Sequence, residues 1–301
     1  LYALLLPLRV GLEGSATPAL WGFVLTPAMK GVYAAFVSTV ALLLMLRFDW
    51  RPAMAALLAG MLLYTGFAGF PWFVFILAAG LFAWQVAGYR TGLFTVAGFT
   101  LILLSGLWTP LVQSLYLTML AVLFCLTVGG AIGVWAAHSD RVSRIVKPIC
   151  DALQTMPQFV FLIPVLMFFK VGEFTALVAI MLYAIVPPIR YVEHGLRHVP
   201  PDIVEAVEQM GATPSQTLFQ AKLPLALPVV MLGVNQTIMA ALSMLAIAAL
   251  VGTRDLGQQV YVAVGKADAG MGLVAGLSIA FLAMFADRLT QAWVRSRGTG
   301  P

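Results

Sequence analysis

The segment LALPVVMLGVNQTIMAALSMLAIAALV, residues 225–251, contains no Asp, Glu, Lys or Arg. A helix of about 20 apolar residues crosses the hydrocarbon of a bilayer, so this run is long enough to do so. By that ruler nine stretches are candidate spans: 31–46, 52–69, 70–89, 91–108, 110–137, 152–169, 173–192, 225–251 and 271–292, the first two being short. Short charged or Gly/Pro punctuation separates them, and they do not alternate every second residue. Helices, rather than barrel strands, therefore satisfy the backbone. With 61% hydrophobic and only 10% charged residues, and a mean hydropathy of +0.97, the chain could not sustain the watered surface of a soluble domain. The expected fold is all-α, a polytopic membrane protein with about nine transmembrane helices.

Basic residues collect on the cytoplasmic side of such proteins, which tests the span count. With the 205–224 loop inside, the inner side holds twelve basic residues: Arg47, Arg51, Arg90, Arg141, Arg144, Lys147, Arg190, Arg197, Lys222, Arg288, Arg295 and Arg297. The outer side holds four, Lys30, Lys170, Arg254 and Lys266, with Arg9 unassigned. An error of one span in the second half would swap the segments after it. The loop and the C terminus are thus expected in the cytosol. Residues 1–30 are expected outside or re-entrant, with LYALLLPLRV as the tail of a span. An opening on Leu1 instead of Met fits a fragment, a processed form or an incomplete start.

The formal charge of +5 reports topology, and no basic–aromatic interleaving suggests nucleic acid as a partner. Cys125 falls in a span and Cys150 near a membrane edge, which argues against a disulfide framework. His138, His194 and His198 lack the Cys or carboxylate spacing of a metal site. No metal is expected.

The stretch EAVEQMGATPSQTLFQAKLP, residues 205–224, is a polar insert between two apolar runs. Pro201 or Asp202 can open a helix. Ile203, Val207 and Met210 form an apolar stripe with Glu205 and Glu208 off it. Gly211 stands where a left-handed cap is expected. Thr213, with Gln216 three positions on, reads as a capping box for a second short helix, and Pro224 marks where the next span begins. Three readings compete for this unit: an amphipathic helix on lipid, a plain connector, and a docking surface for a cytosolic partner. Anionic lipid would repel its acidic residues, and a connector should be shorter.

Glu205 and Ala206, Gly211 six positions after the Glu, and Leu223-Pro224 at the end resemble the cytoplasmic EAA signature of ABC importer permeases. Val207 and Ala221 depart from it conservatively. The flanking DALQTMPQFVFLIPVLMFF, GATPSQTLFQAKLPLALPVVMLGVNQTIMAALSM and DRLTQA are similar to permease subunits of the glycine betaine, proline betaine and choline family. The resemblance covers about 110–292. It implies accessory transmembrane helices over 1–109 and a five-helix type I permease core over 110–301, with a coupling loop at 193–224. It further implies that Glu205, Ala206, Gly211, Leu223 and Pro224 serve ATPase coupling, Glu205 in or beside a groove of the ATPase and Gly211 at the bend.

No G-x-x-x-x-G-K-[ST] phosphate loop is present, VGKAD at 264–268 being the nearest approach. The chain is expected to be no enzyme and to carry no cofactor, with ATP and Mg on a partner ATPase. Further expected partners are an extracytoplasmic substrate-binding protein, a second permease copy or similar half, and the lipid bilayer. One rival reading is a secondary transporter or channel that needs no ATPase, for which paired inverted halves would be expected; the other is an ABC permease for another small solute, without a quaternary nitrogen.

Polar residues at membrane depth face protein or water. Gln154, Gln158, Asn235, Gln236, Thr237 and Ser243 qualify, and Phe159, Phe161, Phe168 and Tyr183 offer aromatic faces to a quaternary nitrogen. Gln154, Phe159, Asn235, Gln236 and Ser243 are the candidate translocation path. Helix fastening for the polar residues and packing for the aromatics remain open for the same side chains. Asp287 and Arg288 read as edge charges of the last span. LGQQVYVAV, inside the outer loop 252–270, reads as a short helix across the outer mouth or as an ordered loop.

Overall fold

The computed structural model describes residues 72–298. Candidate spans 31–46 and 52–69, and the expectations for residues 1–30, lie outside the described residues. The helices are α1 (Trp72–Ala87), α2 (Tyr89–Leu104), α3 (Trp108–His138), α4 (Asp140–Thr155), α5 (Gln158–Phe169), α6 (Glu173–Arg197), α7 (Pro201–Gln209), α8 (Pro214–Val251), α9 (Leu256–Gly265) and α10 (Ala269–Gly298). The described residues contain no strand.

Seven of the nine candidate spans fall wholly or mostly in the described residues, and not all of them form a single helix of crossing length. Helices α3, α6 and α8, with 31, 25 and 38 residues, and the Ala269–Ala292 part of α10, with 24, are long and apolar enough to cross a membrane. Helix α2 has 16 residues, about 24 Å, which is short of the ~30 Å hydrocarbon layer, and 16 residues of α1 are among those described.

The expected span 152–169 is corrected as well. It is broken at Pro157, and α4 and α5 meet at 100°. Proline forces the residue before it out of the helical region, and Met156 sits at φ −69°, ψ 132°. Upstream of the break, α4 is amphipathic rather than membrane-crossing. Asp140, Arg144, Lys147 and Asp151 fall on one face, and Val142, Val146, Cys150 and Leu153 on the other.

Apolar association gains little between helices already in lipid, so close packing of small residues sets their approach. Helix α6 lies between α3 and α8 by that device. A Cβ on Gly133 would come within 2.8 Å of the Ile189 carbonyl, and one on Gly129 within 2.9 Å of Pro188. On the other side, a Cβ on Gly233 of α8 would meet Tyr191. Inside α3 the helix widens to a π turn at Cys125–Gly129. There the Thr127 hydroxyl donates to the Leu123 and Phe124 carbonyls at 2.9 Å each.

Tyr116, Leu117, Phe161, Leu177, Ile180, Met244 and Leu245 form the main core of α3, α5, α6 and α8. A second core joins α1 and α2 to α3 and α10 through Ile76, Phe99, Trp108, Leu111, Phe281 and Leu282. Phe99 meets Phe281 edge-on at 5.1 Å, and the Arg288 guanidinium lies 4.7 Å over the Phe94 ring. The α1–α2 hairpin is thereby docked on the last helix, and Arg288 is more than an edge charge.

The two ends of the bundle differ in charge. At one end Gln113 donates to buried Glu173, and Ser114 accepts from the Leu256 backbone N–H at 2.9 Å. At the other end are Arg141, Arg144, Lys147, Arg190 and Arg197, the loop around α7, and Lys222.

Candidate functional site

The α7 unit projects from the basic end. Pro201 opens it, since a first helical turn needs no donor from proline. Its termination is a Schellman motif: the Gly211 N–H donates to the Glu208 carbonyl at 2.9 Å and the Ala212 N–H to Val207 at 3.3 Å, with Gly211 at φ +85°. A Cβ at Gly211 would meet nothing within 4 Å. The conformation, not lack of space, requires glycine there.

Thr213 and Gln216 close the expected capping box, each side chain taking a backbone N–H of the other. The expected second short helix does not end where the sequence suggests. From Pro214 the chain runs helically to Val251, through a π turn at Thr217–Lys222 that precedes Pro224. Proline has no N–H to give to the preceding turn, and the change of register absorbs that loss without a break. At 38 residues, α8 is about 57 Å long. It outreaches the ~30 Å hydrocarbon layer and carries its first turns beyond it.

Val204 packs with Leu218 and Leu223 on a small core of Val192, Leu196, Val199 and Ala226. This core seats α7 on the ends of α6 and α8. Outward, Glu205 is exposed and Ala206 lies beside it, and the Glu205 carboxylate makes no hydrogen bond or ion pair among the described residues. Ile203, Met210 and Phe219 are 40%, 86% and 63% exposed. Leu223 is half-buried in the seat and Pro224 is exposed. Of the expected stripe, Val207 is half-buried and Ile203 and Met210 are exposed apolar surface, while the residue of α7 that packs on the seat is Val204.

Comparison with known proteins gives the family of the chain. Residues 129–297 match the family of binding-protein-dependent transport system inner membrane components. The chain belongs to that family. The permease is 41% identical over 242 residues to the glycine betaine/proline betaine transport system permease protein ProW of Escherichia coli (strain K12), covering 77% of this chain and 68% of the relative. It is 42% identical over 227 residues to the glycine betaine transport system permease protein OpuAB of Bacillus subtilis (strain 168), covering 75% of this chain and 80% of the relative. Among solved structures, an inward-facing MetNI methionine ABC transporter aligns with a TM-score of 0.59 at 23% identity, covering 64% of the permease and 95% of that chain. That likeness is one of fold.

Of the candidate path residues, Gln154 on α4, Phe159 on α5, and Gln236 and Ser243 on α8 lie at least partly open to the surface. Gln236 and Ser243 share one face of α8 with Leu232, Met239 and Leu250, which are 51%, 36% and 46% exposed. Ser243 donates to its own helix, to the Met239 carbonyl. Asn235 turns the other way: its amide donates to Asp287 at 2.8 Å and its carbonyl accepts from Thr290 at 3.0 Å. Gln291 also donates to Asp287, at 2.9 Å. Asn235 therefore fastens α8 to α10.

Sequence reasoning missed a second polar knot. Buried Glu193 accepts from Ser143 at 2.5 Å, from Lys147 at 3.4 Å and from Arg197 at 3.1 Å. Arg197 also holds Asp140 and the Ala136 carbonyl, each at 2.8 Å. An acidic residue four positions before Arg197 in the amphipathic tail of α6 was the available signal. The His194 and His198 rings lie 3.9 Å apart, and no group of three potential metal ligands occurs among the described residues. Cys125 and Cys150 are buried free thiols.

Proposed function

We propose that this chain is the membrane-spanning subunit of an ATP-driven, binding-protein-dependent importer of a compatible solute bearing a trimethylammonium or related quaternary head, such as glycine betaine or choline. The names of its relatives support the solute class. In this reading the basic end, α7 and the C terminus face the cytosol, in keeping with the bias of Lys and Arg. A separate ATPase binds ATP and Mg, a soluble receptor delivers solute at the other end, and a second copy completes the pathway along the face of α8 that carries Gln236 and Ser243.

The observation that carries the reading is mechanical. The unit between Pro201 and Lys222 is capped at its turn, seated on a small apolar core and continuous with a helix long enough to cross the bilayer. Force applied to its exposed Glu205, Ile203, Met210 and Phe219 is passed to α8 as a rigid-body displacement, the kind of motion by which packed helices change between inward-open and outward-open arrangements.

The test is reconstitution with the partner ATPase. ATP-dependent betaine uptake and ATPase co-purification should both fall on Glu205→Lys while the thermal midpoint of the purified chain holds. Uptake by this chain alone, without an ATPase, would end the proposal. Competition among betaine, choline, carnitine and trimethylamine oxide assigns the solute.

A further inference from the structure

At the basic end, the α4–α6 junction borders a half-open cleft of about 280 Å³, lined by Lys147, Asp151, Arg190, Glu193, His194, Arg197 and His198. That is near the lower bound of small-ligand sites, about 300 Å³. Its formal charge is positive, three permanent cations facing two carboxylates. The carboxylates are also consumed internally: Glu193 is buried against Ser143, Lys147 and Arg197, and Asp151 is held by Arg190. Arg197 is spent as a clamp on Glu193, Asp140 and the Ala136 carbonyl.

Lys147 is the less committed cation, while Arg190 is shared with Asp151. The Lys147 side chain is 60% exposed and sits at the long distance of 3.4 Å from Glu193. The Arg190 Nε makes no hydrogen bond of ordinary geometry, and its guanidinium lies against Asp151 and the Cys150 thiol. His198 Nδ1 donates to the His194 carbonyl, so its Nε2 donates to an anion only when the ring is doubly protonated.

The surroundings place this cleft at headgroup level. Helix α4 lies across the direction of α5. Beside its charged face, Ile145 and Ile149 are 65% and 54% exposed, and Trp135 at the end of α3 is 64% exposed. An amphipathic helix with apolar side chains outward and basic ones beside them lies in a membrane interface, and tryptophan is enriched at that depth.

We propose that the cleft between α4 and α6 binds a phosphate group, through Lys147, Arg190 and the histidine pair, from the headgroup of an acidic phospholipid or as free phosphate. None of its lining residues is on α7 or among the candidate path residues, although Asp151 stands three positions before Gln154 on α4. A bound phosphate would cross-link α4 to the segment of α6 that leads directly into α7.

The test uses the purified full chain in neutral detergent, titrated with short-chain phosphatidylglycerol, with phosphatidylcholine of equal chain length and with inorganic phosphate, and read as the shift of thermal midpoint. Lys147→Gln should weaken the response about tenfold, one charge-assisted contact being lost. Lys147→Arg should keep it. Arg141→Gln removes the same charge from α4 outside the cleft and should change affinity less than about twofold. If Lys147→Gln does not fold, His198→Gln probes the same wall. A response to phosphatidylglycerol alone assigns the lipid headgroup, and a response to phosphate assigns the free anion. Equal protection by phosphatidylcholine without any effect of phosphate, or equal losses for Arg141→Gln and Lys147→Gln, overturns the proposal.

Discussion

Asn235 donates its amide to Asp287 at 2.8 Å, across 52 residues of sequence, and this bond is the polar tie between α8 and α10. Thr290 and Gln291 complete the node, so both carboxylate oxygens of Asp287 are engaged. An acid within a span is costly unless paired. Here the pairing also links the helix that continues the α7 unit to the helix on which α1 and α2 dock.

Replacing Asp287 by Ala removes the acceptor of both amides. Hydrogen bonds to a charged group contribute about 1.5–3 kcal/mol, whereas interhelical bonds in membranes average about 0.6. The node is only partly buried, so about 1 kcal/mol is expected. A double-mutant cycle with Asn235→Ala, read by denaturation in detergent, should return a coupling of that order. Strict additivity would show that the two side chains do not act together.

Gly211→Ala places a Cβ on a residue at φ +85°. The left-handed conformation costs a non-glycine residue about 1–2 kcal/mol. The loss should be local: faster hydrogen exchange over 201–212, unchanged exchange in α8, and lower uptake. Gly211→Asn should be milder, since Asn tolerates this conformation.

Gly133→Leu tests the close approach of α3 and α6. The obstacle is the Ile189 backbone carbonyl, 2.8 Å from the added Cβ, and backbone cannot rotate away as a side chain can. Overpacking of this kind costs about 1–3 kcal/mol or more. The variant should lose thermal stability and folded yield, while Leu at Gly130, which faces open space, should not.

Asp255 caps α9 by accepting from the Gln258 N–H at 2.9 Å. It is fully buried, and that burial pushes its carboxyl up to about 6. The folded chain thus binds this proton more tightly than the unfolded chain does. The resulting destabilisation is absent below the ordinary carboxylate range, grows as pH rises toward 6 and is complete above it. Lowering pH from 7 to 5 should therefore raise the protection factors of the α9 amides, that is, exchange relative to the intrinsic rate at each pH. Asp255→Asn, which keeps an acceptor for the cap and removes the charge, should flatten that dependence.

Helices and caps are legible because their causes are local. Gly211 and the Thr213–Gln216 box act within a few residues of themselves, and the turn they make is the one the sequence predicts. Pro157 is equally local evidence, yet hydropathy averaged over 152–169 hides it, and a broken element reads as a straight span. Pro224 misleads in the opposite sense. Its missing donor suggests a boundary, but a π turn at Thr217–Lys222 accommodates it and leaves α8 whole.

The pattern of apolar runs and basic residues, by itself, determined that this chain is helical, lies in a membrane and has one strongly basic end. Those properties stem from backbone satisfaction in lipid and from charge, which need no partner. Only the tertiary structure decided which polar side chains are spent on holding helices together. Asn235 is tied to α10 while Gln236, its neighbour, lies on the open face of α8, and Glu193 is buried against Ser143 from 50 residues away. Adjacent residues on a helix point about 100° apart, so what each one meets depends on where distant helices pack.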